Sequence, residues 1–253
     1  MTNSKDYFSG HAALYAQARP RYPDALFDWL ASVSPRHGLA WDAGCGNGQA
    51  SVALARVFDC VIGTDASAEQ IAQAAAAANV EYRVEAAEAP SLSDRSIDLV
   101  IVAQALHWFD LAKFYGGVNR VLASDGVIAV WSYGLSQVSR DVDAAFLRLY
   151  DQWLGNYWPP ERRHIENGYA ELEFPYASVG DVPAFEMACE WTLAQYLAYL
   201  STWSATRLYM QATGVDPIER IAPEFAAAWG DPEQTRIVRW PLVLRSGRRA
   251  HRA

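Results

Sequence analysis

The segment Trp41-Asp42-Ala43-Gly44-Cys45-Gly46-Asn47-Gly48 sets glycine at alternate positions just after a carboxylate. Glycine lets a chain turn tightly and lets a ligand lie against the backbone. A helix starting here offers N–H groups that have no partner within the helix. Asp65 follows Gly44 by 21 residues. At the end of the next strand an acid can take both hydroxyls of a ribose. The same position also suits a cap for a helix beginning near Ser67. Asp42 stands where a carboxylate would repel a pyrophosphate but accept a hydrogen bond from an ammonium group. The two acids therefore favour a ligand with an amino group over a dinucleotide. Alone, the glycine run is a weak signal, because many ligands use such turns and some turns hold nothing.

These residues need a scaffold of alternating strands and helices. The period-3.6 pattern predicts a helix over 24–33, capped at Asp24. Strands are expected at 39–43, 60–64 closing on Asp65, 81–85, 96–103 and 126–131. Helices are expected at 49–57, from Ser67 to Ala78, and at 111–122. The near-continuous apolar run after Ser96 is what a parallel strand covered on both faces requires. The alternation implies right-handed crossovers and a doubly wound parallel sheet. After Gly134 the rhythm changes: helices are expected at 139–155, 193–213 and 216–229, with strands at 185–192 and 236–244. The aromatic and proline-rich stretch 156–183 resists assignment. No clean second domain is evident.

Composition narrows the function classes. The 253 residues carry a net charge of −8, and Arg245, Arg248, Arg249 and Arg252 fall in an acid-free end, so the rest is more acidic still. Such a body is a poor partner for nucleic-acid phosphates. Cys45, Cys60 and Cys189 form no disulfide framework, and a reduced, cytoplasmic setting is expected. No apolar run reaches the ~18 residues of a membrane span. No residue cluster has zinc spacing, so no metal is expected.

Together, Asp42-x-Gly44-x-Gly46-x-Gly48, Asp65, Ala87-Glu88 before Pro90, and Ser96-Ile97-Asp98-Leu99-Val100 resemble the motif series of class I S-adenosylmethionine-dependent methyltransferases. The resemblance covers residues 7–133. Tyr15 to Pro23, Gln104-Ala105-Leu106-His107-Trp108-Phe109 and Thr202-Trp203-Ser204-Ala205 are similar to a small-molecule branch that includes trans-aconitate methyltransferases. Ala86 departs from the Asp, Gly or Ser of many relatives, which leaves adenine recognition to backbone and Glu88.

The resemblance implies an α/β, Rossmann-like, doubly wound seven-stranded mostly parallel sheet, with an antiparallel strand over 236–244 and a helical lid. It implies a single methyltransferase domain over 1–253. Within it, 1–35 would be an N-terminal cap, 36–134 the cofactor core, and 135–183 with parts of 193–230 the lid. It also implies S-adenosylmethionine as cofactor. Gly44 and Gly46 would line its methionine part, beside Asp42, with Gln104 near the same end. Asp65 would bind the ribose, Ala66 would pack on adenine, and Ala87 and Glu88 would lie at the adenine edge. Tyr15 and Arg19 would fold over the site, Arg19 pairing with the cofactor carboxylate.

His107, after strand 4, is the candidate for orienting the methyl acceptor or taking its proton; it also suits a local helix-start role. Trp108, Tyr133, Trp203 and Arg207 are candidates for the acceptor pocket, and Trp108 also suits a core aromatic. Trp203, Arg207 and Met210 share helical spacing, an aromatic wall and a cation for an acidic substrate. The same pattern fits Trp203 and Met210 as core with Arg207 snorkelling. Two other functions remain: a nicotinamide oxidoreductase, against which Gln49 stands where a third glycine is needed, and a non-catalytic cofactor-binding protein.

Overall fold

The apolar runs become strands in register in the computed structural model, which describes residues 20–249. Five are parallel: β1 (Leu39–Ala43), β2 (Cys60–Asp65), β3 (Val80–Val84), β4 (Ile97–Ala103) and β5 (Leu122–Tyr133). Three more follow: β6 (Ala177–Ser178), β7 (Glu186–Trp191) and β8 (Arg236–Arg248). The order is β3-β2-β1-β4-β5-β8-β6, with β8 antiparallel to β5 and to β6, and with β7 pairing β8 off this path. Among the described residues the sheet thus has eight strands rather than seven. β8 runs past Leu244 to Arg248, and its extra length pairs with β6.

Alternate residues of β4 point to opposite faces. Val100 and Val102 join a core with Trp41, Phe114, Val118 and Ile128. Leu99 and Ile101 join another with Leu26, Phe27, Leu30 and Trp131. The helices covering these faces are α1 (Asp24–Val33), α2 (Gln49–Leu54), α3 (Ala68–Ala72) and α4 (Leu111–Val121). Pro23, not Asp24, is the N-cap of α1; Asp24 lies in the first turn, where a negative charge suits the helix dipole.

α3 stops at Ala72, short of the expected Ala78. The Ala75 N–H bonds to the Asn47 carbonyl at 3.1 Å, and the Ala75 carbonyl accepts the Tyr82 hydroxyl at 2.9 Å. These tertiary bonds outcompete the alanines' strong intrinsic helix preference.

The chain divides into two compact units. One contains residues 22–134, 163–186 and 241–249, and so the parallel strands. The other contains 135–162 and 187–240 among its described parts. Its helices are α5 (Arg140–Leu147), α7 (Leu193–Ser201), α8 (Ser204–Thr213) and α9 (Pro217–Trp229), while α6 (Arg162–Glu166) starts at its boundary. The expected 139–155 helix is α5 followed by a π turn over Arg148–Trp153. The expected 193–213 helix breaks at Thr202, whose hydroxyl bonds back to the Tyr199 carbonyl, and Trp203 becomes the extended N-cap of α8. No helix among the described residues is long and apolar enough to cross a membrane.

Candidate functional site

Parallel pairing sets the ends of four strands along one edge. Ala43 pairs Thr64, and Ala103 pairs Trp131, so the loops after β1, β2, β4 and β5 leave from neighbouring positions. Open α/β sheets bind ligands at this carboxyl edge.

The glycine loop is built by backbone bonds. The N–H groups of Gly44 and Cys45 donate to the Thr64 carbonyl at 2.8 and 2.9 Å. Gly44 has φ +71°, and a Cβ there would fall 2.7 Å from Ala105 Cβ and 2.9 Å from Phe109 Cζ. The loop after β4 thus closes against the loop after β1, which only glycine permits.

Asp65 ties this loop to the next turn. Its Oδ2 accepts Gly46 N–H at 2.9 Å, and its Oδ1 accepts Ser67 N–H at 2.8 Å. Ser67 in turn caps α3. A carboxylate has about four lone-pair sites, so Asp65 keeps capacity for a diol. Ala66, beside it, is exposed.

Asp42 is wholly buried. Its Oδ2 accepts the buried Ser51 hydroxyl at 2.6 Å, while its Oδ1 has no hydrogen-bond partner among the described residues. Burial pushes its carboxyl up to about 7, the charge of Asp65 adds to the rise, and the Ser51 hydrogen bond opposes it. An unpaired oxygen under a glycine loop suits a cationic group, which would return the carboxyl to its charged form.

The shift has a measurable sign. An unfolded aspartate titrates near ~4. From there to about 7 the folded chain holds a proton that the unfolded chain has released, so stability falls as pH rises across this window. Asp42→Asn has no such proton. Its melting temperature is expected to gain on wild type as pH rises through that window, and parallel profiles would refute the assignment.

Gln104 sits at φ +60° after β4. Its side-chain amide accepts Tyr133 N–H at 2.9 Å and donates to the Tyr133 carbonyl at 3.1 Å, clamping the ends of β4 and β5. Ala87 is buried in the core, and Glu88 Oε1 accepts Asp110 N–H at 2.9 Å at the start of α4. Tyr133 is buried, its ring edge-on to Tyr22. His107 lies on a 3-10 turn over Leu106–Trp108, half-buried, with Nδ1 3.0 Å from the Tyr169 hydroxyl. Trp108 is 42% exposed rather than core, its ring 4.6 Å from that of His107.

Asp42, Gly44, Gly46, Asp65, Ala66, Ala87, Glu88, Gln104, His107, Trp108 and Tyr133 all belong to the unit with the parallel strands. Trp203 and Arg207 belong to the other. There Trp203 is buried among Phe146, Tyr150, Trp158 and Tyr199. Arg207 is half-buried in the first turn of α8, and Met210 is exposed, not core. Tyr15 and Arg19 lie outside the described residues.

Sequence reasoning missed Ser51, nine residues from Asp42, and Phe109 and Tyr169, whose partners are distant in the chain. It also gave Asp98 no structural role. That acid accepts Gly38 N–H, Leu39 N–H and Arg36 Nε at 3.0, 3.1 and 3.0 Å, fixing the start of β1 to β4.

Residues 41–130 match a family model described as a methyltransferase domain. A Dictyostelium discoideum protein named as a methyltransferase is 34% identical over 240 residues, covering 90% of this chain and 88% of that one. A Saccharomyces cerevisiae protein named as an S-adenosylmethionine-dependent methyltransferase is 32% identical over 237 residues, covering 79% and 80%. A solved structure from Anaeromyxobacter dehalogenans, named as a type II methyltransferase, shares 46% identity at TM-score 0.86 and covers 91% of this chain and 97% of its own.

Proposed function

The chain belongs to the class I S-adenosylmethionine-dependent methyltransferases, and from that premise we propose that the glycine loop, Asp42 and Asp65 hold the cofactor while a small acceptor meets it beside His107. The observation that carries this reading is the joined geometry of the two acids. Asp65 braces the loop through Gly46, and Asp42, two residues before Gly44, keeps a buried oxygen with no partner among the described residues. In this reading Asp65 takes the ribose hydroxyls, Ala66 packs on adenine, and Ala87 and Glu88 border it. Gly44, Gly46 and Gln104 line the amino-acid end, with its ammonium drawn toward Asp42. Tyr133 and Trp108 border the acceptor.

When bound, the cofactor supplies a methyl carbon made electrophilic by a sulfonium. The protein's share is alignment, which can remove ~7–11 kcal/mol of barrier. A carboxylate acceptor needs no base, whereas an alcohol or amine gains from one. The net charge of −8 argues against nucleic acid as acceptor.

Radiolabelled methyl transfer to a panel of small carboxylic acids, alcohols and amines tests the reading. Label is expected on at least one acceptor. His107→Gln should lower turnover of an alcohol or amine roughly 100-fold, with cofactor affinity unchanged and a carboxylate acceptor slowed only a few-fold. No label on any acceptor would refute the acceptor class. Equal turnover by the variant would remove His107 from the chemistry.

A further inference from the structure

His107 and Tyr169 meet across 62 residues of chain. Tyr169 is buried and holds φ +63°, a left-handed conformation that is strained for a side chain this large. Strain of this kind persists only where the surroundings hold it, and it gathers at functional positions. Here the hold is explicit. The Tyr169 N–H donates to the His164 carbonyl at 2.7 Å, and its own carbonyl accepts Arg245 Nη1 at 3.0 Å. The same Nη1 reaches the Leu172 carbonyl at 2.8 Å, and the guanidinium lies 4.8 Å over the Phe174 ring. Gly168, also left-handed, passes so close to Val243 that a Cβ would fall 2.9 Å from it. The outcome of these restraints is a phenol hydroxyl 3.0 Å from His107 Nδ1.

We propose that Tyr169 is a positioning residue whose hydroxyl accepts the Nδ1–H of His107 and so fixes the tautomer with its lone pair on Nε2. The inference rests on the reading of His107 as the group facing the acceptor. From that tautomer the ring takes a proton from an alcohol or amine. The acceptor's O–H or N–H bond breaks, its electron pair stays on the acceptor atom, and the proton forms a new N–H bond at Nε2. Nδ1–H keeps its bond to the phenol throughout, so the ring does not turn as its charge changes.

Long-range nitrogen–proton NMR of the ligand-free protein reads the tautomer directly, with His107→Gln identifying the signal among five histidines. Wild type is expected to show a protonated Nδ1 and an unprotonated Nε2 in the neutral ring. Tyr169→Phe keeps the ring and removes the hydroxyl. It is expected to give a mixture of tautomers and about 10-fold slower turnover of an alcohol or amine, with affinity for S-adenosylhomocysteine held within two-fold. A protonated Nε2 in wild type would overturn the inference without any variant having to fold. An identical pattern in a folded Tyr169→Phe would overturn it as well. The predicted tautomers with full alcohol or amine turnover in His107→Gln would instead refute the underlying role of His107, and with it the catalytic meaning of the pair.

Discussion

Gly44→Ala is expected to weaken S-adenosylmethionine binding by at least ~100-fold and to lower the melting temperature by several degrees. Two effects add. At φ +71° any side chain pays the left-handed penalty of about 1–2 kcal/mol. The new methyl also falls 2.7 Å from Ala105 Cβ and 2.9 Å from Phe109 Cζ. Relieving such overpacking costs roughly 1–3 kcal/mol. The backbone must shift, and the shift acts on the N–H groups of Gly44 and Cys45 that hold the loop on Thr64. Every ~1.4 kcal/mol is tenfold in affinity. Gly116→Ala is the control: it lies within α4 with nothing within 4 Å of the added carbon, and it should leave binding unchanged and stability equal or higher. Calorimetric titration beside a thermal melt reads both variants. Wild-type affinity in Gly44→Ala would mean that the loop does not carry the ligand.

Asp65→Ala should be more damaging to binding than to folding, with a loss of affinity on the order of 1000-fold. Truncation leaves the N–H groups of Gly46 and Ser67 without their acceptor. It also removes the group assigned to the ribose. Hydrogen bonds to a charged group contribute ~1.5–3 kcal/mol each, so two such losses account for the size of the effect. Asp65→Asn keeps one acceptor oxygen and should fall between. If Asp65→Ala bound S-adenosylhomocysteine within three-fold of wild type, the carboxylate would be a turn brace only.

The legible parts of the fold were those decided locally. β4 is a short apolar run whose two faces both meet core, so its composition and its burial carry the same information. Asp65 stands at a strand end, and Ser67 has a capping side chain three residues from the N–H that it accepts. What sequence reading lost was decided by distant groups. The alanine tract after Ala72 has every intrinsic reason to stay helical, and Asn47 and Tyr82 draw it away. Trp203 and Arg207 look like neighbours on one helix face, yet the chain breaks at Thr202 and buries the indole in an aromatic cluster. The resemblance sets Gln104 near the cofactor's methionine end, and the structure engages its amide with the Tyr133 backbone. Tyr169 lies in a stretch with no periodicity. Only the preceding Asn167-Gly168 hinted at a turn, and nothing local pointed to His107.

The central claim is that the loop after β1, with Asp42 below it and Asp65 beside it, cradles the cofactor's nucleoside and amino acid. A crystal structure grown with S-adenosylhomocysteine tests it directly. Ribose hydroxyls are expected within hydrogen-bond distance of the Asp65 carboxylate, the base over Ala66, and the amino nitrogen on the Asp42 side of Gly44. A nucleoside bound elsewhere on the chain, with this loop unengaged, would contradict it.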